Sequence, residues 1–192
     1  MGTGRCGTKS LSRLLSAQPG VAVPHEHMYP LPWEFSRTAI DSKIIELRKF
    51  GGDVAFYYLN YVGYLSQIYP ATQFVCMKRE REATINSYLV KSENRNNWIE
   101  HDGSEWMKSP VYYNSYPKFN ASSKKEALGM YYDLYYKKAE MLENELKGKF
   151  KIFSIEDLNT TEGVIRILNH CGILGHEMVV TTKCHYNNTQ KQ

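Results

Sequence analysis

The first side chains along this sequence that could do chemistry belong to a short glycine-rich segment. Three glycines stand close together at its start, Gly2, Gly4 and Gly7. Leucines at helical spacing begin at Leu11, so the segment leads into a helix. Backbone N–H groups in such a loop can converge on one anion, and the helix dipole strengthens the attraction. The hydroxyls of Thr8 and Ser10 and the Lys9 ammonium add further contacts, so the sequence predicts a phosphate-binding loop.

A second pair of residues follows the apolar run at 74–77, which predicts a buried strand. Arg79 comes just after that run, and Ser87 stands further on, in a segment of strong helix formers. The spacing between them is about two helical turns. Taken alone, Arg79 is typical of an exposed surface charge and Ser87 of an exposed helix hydroxyl.

A third group, His25, Glu26 and His27, offers proton acceptors. It follows the short apolar run at 21–23, which predicts a strand. The end of that strand should lie beside the phosphate-binding loop, because ligands of parallel sheets collect at strand C-termini. Histidine, with an ordinary pKa of ~6.5, could accept a proton at neutral pH, whereas a glutamate, at ~4.3, would work better if burial raised its pKa. The residues by themselves leave the choice among the three open.

The loop differs from the pattern G-x-x-x-x-G-K-[ST] of nucleoside-triphosphatases, because one residue separates Gly7 from Lys9. Those enzymes also place an acid after a buried strand to hold magnesium. Arg79 follows one apolar strand, but the acids Glu156 and Asp157 do follow the strand predicted at 150–155. A P-loop kinase that uses magnesium and ATP is therefore kept as an alternative, and so is an inactive nucleotide-binding relative.

The segment G-x-G-R-C-G-T-x-S-L followed by a strand, and R-x7-S after a second strand, resemble the motifs of the sulfotransferase family. The resemblance covers most of the chain outside residues 94–120. It implies a transferase that uses 3′-phosphoadenylyl sulfate, needs no metal, and acts on a hydroxyl or amine of a small molecule, a carbohydrate or a peptide. By position, the residues that it assigns to the 5′-phosphosulfate are Arg5, Cys6, Gly7, Thr8, Lys9 and Ser10. Those that it assigns to the 3′-phosphate are Arg79 and Ser87.

The same resemblance bears on catalysis. In tyrosylprotein-type relatives the base is a glutamate at this place, which corresponds to Glu26. In cytosolic relatives it is a histidine elsewhere in the chain, so His25 and His27 stay open. The cations Arg5 and Lys9 would stabilise charge on the leaving phosphate. The predicted catalytic residues are Glu26, Lys9, Arg5 and His27, and no metal ligand is predicted.

Helices and apolar strands alternate along the rest of the sequence. Helices are predicted from the glycine-rich loop to Gln18 and over 38–50, 54–69, 80–92, 123–148 and 159–172. Strands are predicted at 21–23, 74–77 and 150–155. The alternation predicts an α/β fold of three layers, α/β/α, with a parallel sheet of the P-loop nucleotide-binding kind. A phosphate-binding loop normally follows a buried strand and none precedes Gly2, so we expect the first strand to be missing from this sheet.

With 192 residues, the chain is expected to form one domain, 1–192. The segment 94–120 is polar and aromatic without a steady period, so we predict an insertion that binds the acceptor. Its aromatic residues could either stack on an acceptor or cover the core, and these are Trp98, Trp106, Tyr112, Tyr113 and Tyr116. The polar segment 183–192 loosely resembles the part that closes over the nucleotide in relatives.

Composition excludes several classes of protein. The net charge of +4 suits an anionic ligand but falls short of a nucleic-acid binder. No apolar run reaches the ~18 residues of a membrane span. The four cysteines have no C-x-x-C spacing, and no signal-peptide pattern is present, which predicts a reducing, cytoplasmic location. In the tyrosine-rich helix, the residues expected to form a core stripe are Leu128, Tyr131, Leu134 and Tyr135.

Overall fold

The computed structural model describes residues 1–175 and 178–182, which form a mixed fold of helices and a small sheet. The α-helices are α1 (Thr8–Ser16), α2 (Arg37–Leu47), α3 (Val62–Ile68), α4 (Arg81–Lys91), α5 (Lys124–Glu145) and α6 (Thr161–His170). The strands are β1 (Phe74–Lys78) and β2 (Phe150–Ser154). Short 3₁₀ helices span Phe56–Tyr61, Tyr113–Ser115 and Ile155–Asn159. The segment 183–192, predicted to close over a nucleotide, lies outside the described residues.

The two strands pair in parallel, in a register that joins Phe74 to Phe150 and Lys78 to Ser154. The predicted parallel sheet is thereby confirmed at the scale of two strands, and the full three-layer arrangement stays a prediction. Parallel strands need a long crossover connection, which here carries α4, segment 94–120 and α5. Arg79 begins this crossover directly after β1, at the strand end where ligands of parallel sheets collect.

The other edge of β1 pairs with the beginning of the chain. The Met77 N–H donates to the Met1 carbonyl at 2.8 Å, and the Met1 amino group donates to the Val75 carbonyl. An apolar cavity of about 890 Å³ extends from there, with Met1, Val75 and Phe50 among its lining residues. The prediction that a first strand is missing from the sheet stays untested.

The side chains of the strands divide between two hydrophobic clusters. One cluster also contains the inner side of α5 and the 3₁₀ helix Phe56–Tyr61. Its strand residues are Phe74, Cys76 and Phe150. The other cluster contains apolar residues of α1 and α6. Its strand residues are Val75, Met77 and Phe153. Neighbouring strand residues point to opposite faces, so the two faces of the sheet pack into different clusters, which explains the continuous apolar run of β1.

The prediction of a strand at 21–23 was wrong. Both backbone groups of Val23 bond to serine side chains of α1. The Val23 carbonyl accepts from Ser12 at 2.7 Å and from Ser16 at 2.9 Å, and its N–H donates to Ser16 Oγ at 2.9 Å. These hydroxyls occupy the groups that a neighbouring strand would have bonded. An isolated parallel bridge forms two residues later, at His25.

The single helix predicted over 54–69 is divided in two. The 3₁₀ helix Phe56–Tyr61 comes first, and α3 follows it. The buried residues of the 3₁₀ helix are Phe56, Tyr57, Tyr58, Leu59 and Tyr61. A segment that is apolar on nearly every side packs within the core rather than presenting one amphipathic face. The prediction was therefore right about α3 and wrong about the segment before it.

The tyrosine stripe of α5 is wider than predicted. Tyr131 and Tyr135 are buried, as the helical spacing indicates. Tyr132 and Tyr136, expected elsewhere on the helix, are buried as well. Their hydroxyls donate to main-chain carbonyls at and just beyond the end of β1, at 2.7 and 2.8 Å. A tyrosine can enter a core when its hydroxyl finds such a partner, so α5 meets β1 through hydrogen bonds as well as apolar contacts.

None of the described helices is both long enough and apolar enough to cross a membrane. Within the described ranges, histidine, cysteine, aspartate and glutamate side chains form no group of three or more that could hold a metal ion. Cys6, Cys76 and Cys171 are free thiols.

Candidate active site

The glycine-rich loop adopts left-handed backbone conformations. Gly4 and Gly7 have φ angles of +88° and +93°, and Arg5 between them has +59°. Helix α1 begins directly after Gly7. A Cβ on Gly4 would lie 2.2 Å from the hydroxyl oxygen of Tyr88, which belongs to α4. Glycine therefore permits both the turn of the loop and its close approach to α4.

Buried tyrosine hydroxyls hold the start of the loop. The Thr3 carbonyl accepts hydrogen bonds from Tyr131, at 3.0 Å, and from Tyr88. The Gly2 N–H donates to Tyr135 Oη at 3.1 Å. These bonds fix the loop to α4 and α5. Sequence analysis assigned the α5 tyrosines to the core alone, and their repeat at helical spacing gave no indication that the hydroxyls bond the loop.

Arg5, Arg79 and Ser87 lie together. Arg5 Nε donates to Ser87 Oγ at 3.0 Å, and Arg79 Nη1 donates to the Arg5 carbonyl at 3.2 Å. Neither contact is local, since 82 and 74 residues separate the partners. All three residues are partly exposed. Two guanidinium groups beside a hydroxyl provide directional donors that match a phosphate.

The other predicted residues of the loop differ in exposure. Lys9 is exposed, Ser10 is partly exposed and Thr8 is buried. Cys6 is fully buried, and burial raises the pKa of its thiol, so this residue can offer a ligand only its backbone. Thr8 Oγ1 lies 3.1 Å from His25 Nε2, a contact that joins the turn at 25–28 to the loop.

The turn at 25–28 has a strained backbone. Glu26 and Met28 have φ angles of +54° and +55°. Non-glycine residues rarely adopt this conformation, and when they do they concentrate at functional sites. The Glu26 N–H donates to the Val54 carbonyl at 3.0 Å, which fastens one side of the turn. The backbone of an irregular turn thus sets the direction of the Glu26 side chain.

Two charged side chains fasten the other side of this turn. Lys43, on α2, is only 5% exposed. Its ammonium donates to the His27 carbonyl and, at 2.7 Å, to the Tyr29 carbonyl. Asp53 accepts from the His27 N–H at 3.3 Å. Both backbone groups of His27 are therefore held by charges of opposite sign. Sequence analysis missed Lys43 and Asp53, because no local pattern links either residue to the turn.

The side chains of the turn meet different neighbours. Glu26 Oε2 accepts a hydrogen bond from the Tyr112 hydroxyl at 3.0 Å. His25 contacts the loop through Thr8. The His27 ring packs edge-on against Phe50, with ring centroids 4.8 Å apart. Glu26 is thus joined to segment 94–120 and His25 to the loop, whereas the ring of His27 lies against Phe50, three residues after the end of α2.

Burial lowers the pKa of His25, although the negative charges of Glu26 and Asp53 oppose the change. His25 is therefore neutral at pH 7, and its Nε2 can either donate to the Thr8 hydroxyl or accept from it. A neutral imidazole adds no positive charge to the loop. The predicted residues that do add positive charge on this side of the molecule are Arg5, Lys9 and Arg79.

Segment 94–120 is organised by a lysine near its end, Lys118, rather than by regular secondary structure. The Lys118 ammonium donates to the carbonyls of Asn97, Tyr113 and Tyr116, at 2.9, 2.5 and 3.0 Å. Burial lowers the pKa of Lys118 to about 8. Of the five aromatic residues singled out in this segment, Trp98 and Tyr116 cover the core, and the partly exposed ones are Trp106, Tyr112 and Tyr113.

No family model matches this chain, and no curated protein matches it in sequence. Among solved structures, a sulfotransferase from Alicyclobacillus acidocaldarius is similar to it, with a TM-score of 0.53 and 17% sequence identity. The similarity covers 91% of this chain and 79% of that one. The fold is similar to that of a sulfotransferase. At this identity the similarity shows the fold alone, so an activity can be proposed only from the residues of the site.

Within this sulfotransferase-like fold, Asp157, one of the two acids that follow β2, is bonded to other residues of the fold. Asp157 Oδ2 accepts from the Ser154 N–H at 2.9 Å, which caps the 3₁₀ helix after β2. Its other oxygen pairs with Arg166. Both oxygens of the Asp157 carboxylate therefore already have partners within the fold.

Proposed function

We propose that this protein is a sulfotransferase, which transfers a sulfuryl group from 3′-phosphoadenylyl sulfate to a hydroxyl or an amine. The observation that carries the proposal is the contact of Arg5, from the glycine-rich loop, with Ser87 and Arg79. Those two residues belong to a second motif that is distant in the sequence. The similarity in fold to a sulfotransferase supports it. The proposed acceptor is a small molecule, a carbohydrate or a peptide.

The residues of the loop fit the charges of the donor. The N–H groups at the start of α1, together with Lys9, would bind the 5′-phosphosulfate, and α1 has no acidic residue in its first turn to oppose an anion. Arg79 and Ser87 would bind the 3′-phosphate. Arg5 belongs to the loop and also bonds Ser87, so it would lie between the two anionic ends of the donor. Guanidinium and ammonium groups balance the donor's charge in this assignment, so we expect binding without a metal.

The proposed transfer forms one bond and breaks another. The acceptor oxygen or nitrogen attacks sulfur while the bond from sulfur to the 5′-phosphate oxygen breaks, and the electron pair of that bond stays on the phosphate. Glu26 takes the proton that the acceptor loses. Arg5 and Lys9 stabilise the negative charge that collects on the leaving phosphate. The products are the sulfated acceptor and 3′-phosphoadenosine 5′-phosphate.

Glu26 is the proposed general base, and the histidines are its alternatives. Tyr112 bonds Glu26 Oε2, so Oε1 can take the acceptor proton. His25 Nε2 is engaged with the loop through Thr8, so His25 would have to give up that contact to serve as base at this nitrogen. The His27 ring packs against Phe50, which makes His27 the weaker candidate.

Calorimetry with 3′-phosphoadenosine 5′-phosphate, with and without EDTA, tests donor binding. We expect the same affinity in both conditions. Arg79→Ala should weaken this ligand about ten-fold or more, since a charge-assisted hydrogen bond contributes roughly 1.5–3 kcal/mol, and should weaken 5′-AMP far less. Equal losses for the two ligands would contradict the assignment of the 3′-phosphate. Binding that EDTA abolishes, together with a preference for ATP, would support the kinase.

Lys78→Ala is the matched control for Arg79→Ala. Lys78 is the neighbouring cation, but its ammonium pairs with Glu140 at 2.9 Å in a partly exposed contact. Its removal should change both affinities by less than about two-fold. A screen of hydroxyl and amine acceptors with ³⁵S-labelled donor then tests the transfer itself. A protein that binds the nucleotide but sulfates none of them would be an inactive relative.

A further inference from the structure

Tyr112 connects segment 94–120 to the proposed base. Its hydroxyl donates to Glu26 Oε2 at 3.0 Å, across 86 residues of sequence. Burial, and next the negative charge of Glu26, raise the pKa of Tyr112 to about 12. The phenol therefore keeps its proton at neutral pH, and the carboxylate is the acceptor in this pair.

Other contacts set the position of Tyr112 without help from Glu26. The Tyr112 N–H donates to Ser109 Oγ at 3.1 Å, and its carbonyl accepts from the Ser115 N–H at 2.9 Å. Its ring centroid lies 6.0 Å from that of Phe56, which is buried in the core. Because backbone and ring are both held, the phenol can orient the carboxylate of Glu26 rather than follow it.

We propose that Tyr112 is a positioning residue for the transfer reaction, which holds Oε2 of Glu26 so that Oε1 meets the proton of the acceptor. The inference rests on the proposed function. The turn fixes the backbone of Glu26, but the side chain still has several torsions, and a base works only in a narrow range of positions. Segment 94–120 thereby controls the rate of transfer, whereas donor affinity depends on the loop and Arg79.

Sulfate release from 3′-phosphoadenylyl sulfate tests the inference before an acceptor is known, because water can take the acceptor's place. The water oxygen bonds to sulfur, the bond from sulfur to the 5′-phosphate breaks, and Glu26 takes one proton. Tyr112→Phe removes a hydroxyl and keeps the ring. We expect the release rate to fall about ten-fold, the effect of losing one charge-assisted hydrogen bond. The affinity for 3′-phosphoadenosine 5′-phosphate should change by less than about two-fold.

Tyr64→Phe is the matched control. Tyr64 also donates to a carboxylate, that of Asp41 at 2.6 Å, but this pair joins α3 to α2. The release rate of Tyr64→Phe should equal that of the parent protein. In a Glu26→Gln background, Tyr112→Phe should cause no further loss, because Tyr112 acts through the carboxylate that this background lacks. Thermal unfolding of each variant shows whether the fold is retained.

Three results would overturn the inference: an unchanged or faster rate in Tyr112→Phe, a ten-fold loss that persists in the Glu26→Gln background, or an equal loss of nucleotide affinity. Failure of the proposed function is seen elsewhere, in the parent protein, as a lack of nucleotide binding or of any transfer of the sulfuryl group, whether to an acceptor or to water. In that case the inference falls with the function on which it rests. If the parent binds the nucleotide and also releases sulfate, the rate of Tyr112→Phe tests the role of Tyr112 alone.

Discussion

The donor side and the acceptor side of the proposed site are held in different ways. The donor side consists of the loop at 2–10 with Arg79 and Ser87, and it lies where α1 begins and β1 ends. Neutral phenol groups of α4 and α5 bond its backbone. Rigid elements thus present a site built largely from backbone groups, which suits a ligand whose anionic groups do not vary.

The acceptor side consists of the turn at 25–28 and Tyr112, and both belong to irregular segments. Charged side chains hold the turn, Lys43 through two carbonyls and Asp53 through an N–H. Specificity commonly resides in such segments, supported by a rigid scaffold. Removing the partner of a partly buried charge costs more folding stability than removing the partner of a neutral phenol. The comparison therefore predicts that the acceptor side is the more sensitive of the two to substitution and to pH.

The largest effect is expected from Glu26→Gln. Glutamine keeps the shape of the side chain but cannot accept the proton, and removal of a general base typically slows a reaction roughly 10²–10⁴-fold. Donor affinity should stay near that of the parent, because the donor side is intact. Transfer rates and calorimetry measure the two quantities separately. A greater loss of rate in His25→Ala or His27→Ala, with Glu26→Gln near the parent rate, would assign the role of base to a histidine.

A smaller effect is expected from Lys43→Met. The substitution removes the donor from two partly buried carbonyls, those of His27 and Tyr29, and an unsatisfied group costs ~1–3 kcal/mol when it is buried. The free energy of unfolding, measured in urea, should therefore fall by about 2–4 kcal/mol. Lys137→Met is the control, because Lys137 is exposed on α5 and its loss should change stability by less than about 0.5 kcal/mol.

Tyr131→Phe is the donor-side counterpart of Lys43→Met. The Thr3 carbonyl loses one phenol but keeps the bond from Tyr88, so stability should fall by only about 1 kcal/mol. Equal losses in the two variants would remove the distinction between the two sides. A greater loss in Tyr131→Phe would reverse it.

The smallest effect concerns pH and His25. Burial lowers its pKa in the folded protein below the ordinary value of 6.5. As pH falls below about 6.5, the unfolded chain takes up a proton that folded His25 resists, so stability that is complete at higher pH is progressively lost. Between pH 7.5 and 5.5, the melting temperature of the parent should fall further than that of His25→Gln. The difference between the two falls should be less than about 4 °C, because His25 is half-buried. An equal decline in both proteins would mean that His25 is not held neutral.

Much of the donor side could be predicted from the sequence. The glycine spacing, the following helix and the step from Arg79 to Ser87 depend on residues close in the chain, whose conformations follow from local sterics and hydrogen bonding. The absence of a strand at 21–23 could not be predicted in this way. Its backbone groups were satisfied by serines of α1, and a hydrophobic pattern does not reveal such a competitor.

The sequence by itself determined a glycine-rich loop that leads into α1, a parallel pair of strands and three candidate bases. Only the tertiary structure decided which candidate meets which neighbour, since Glu26 and Tyr112 are 86 residues apart and Arg5 and Ser87 are 82 apart. It also assigned the tyrosines of α5 to the loop and Lys43 to the turn. The physical reason is that each of these side chains had several possible partners, and the packing of whole elements brought only one set within hydrogen-bond distance.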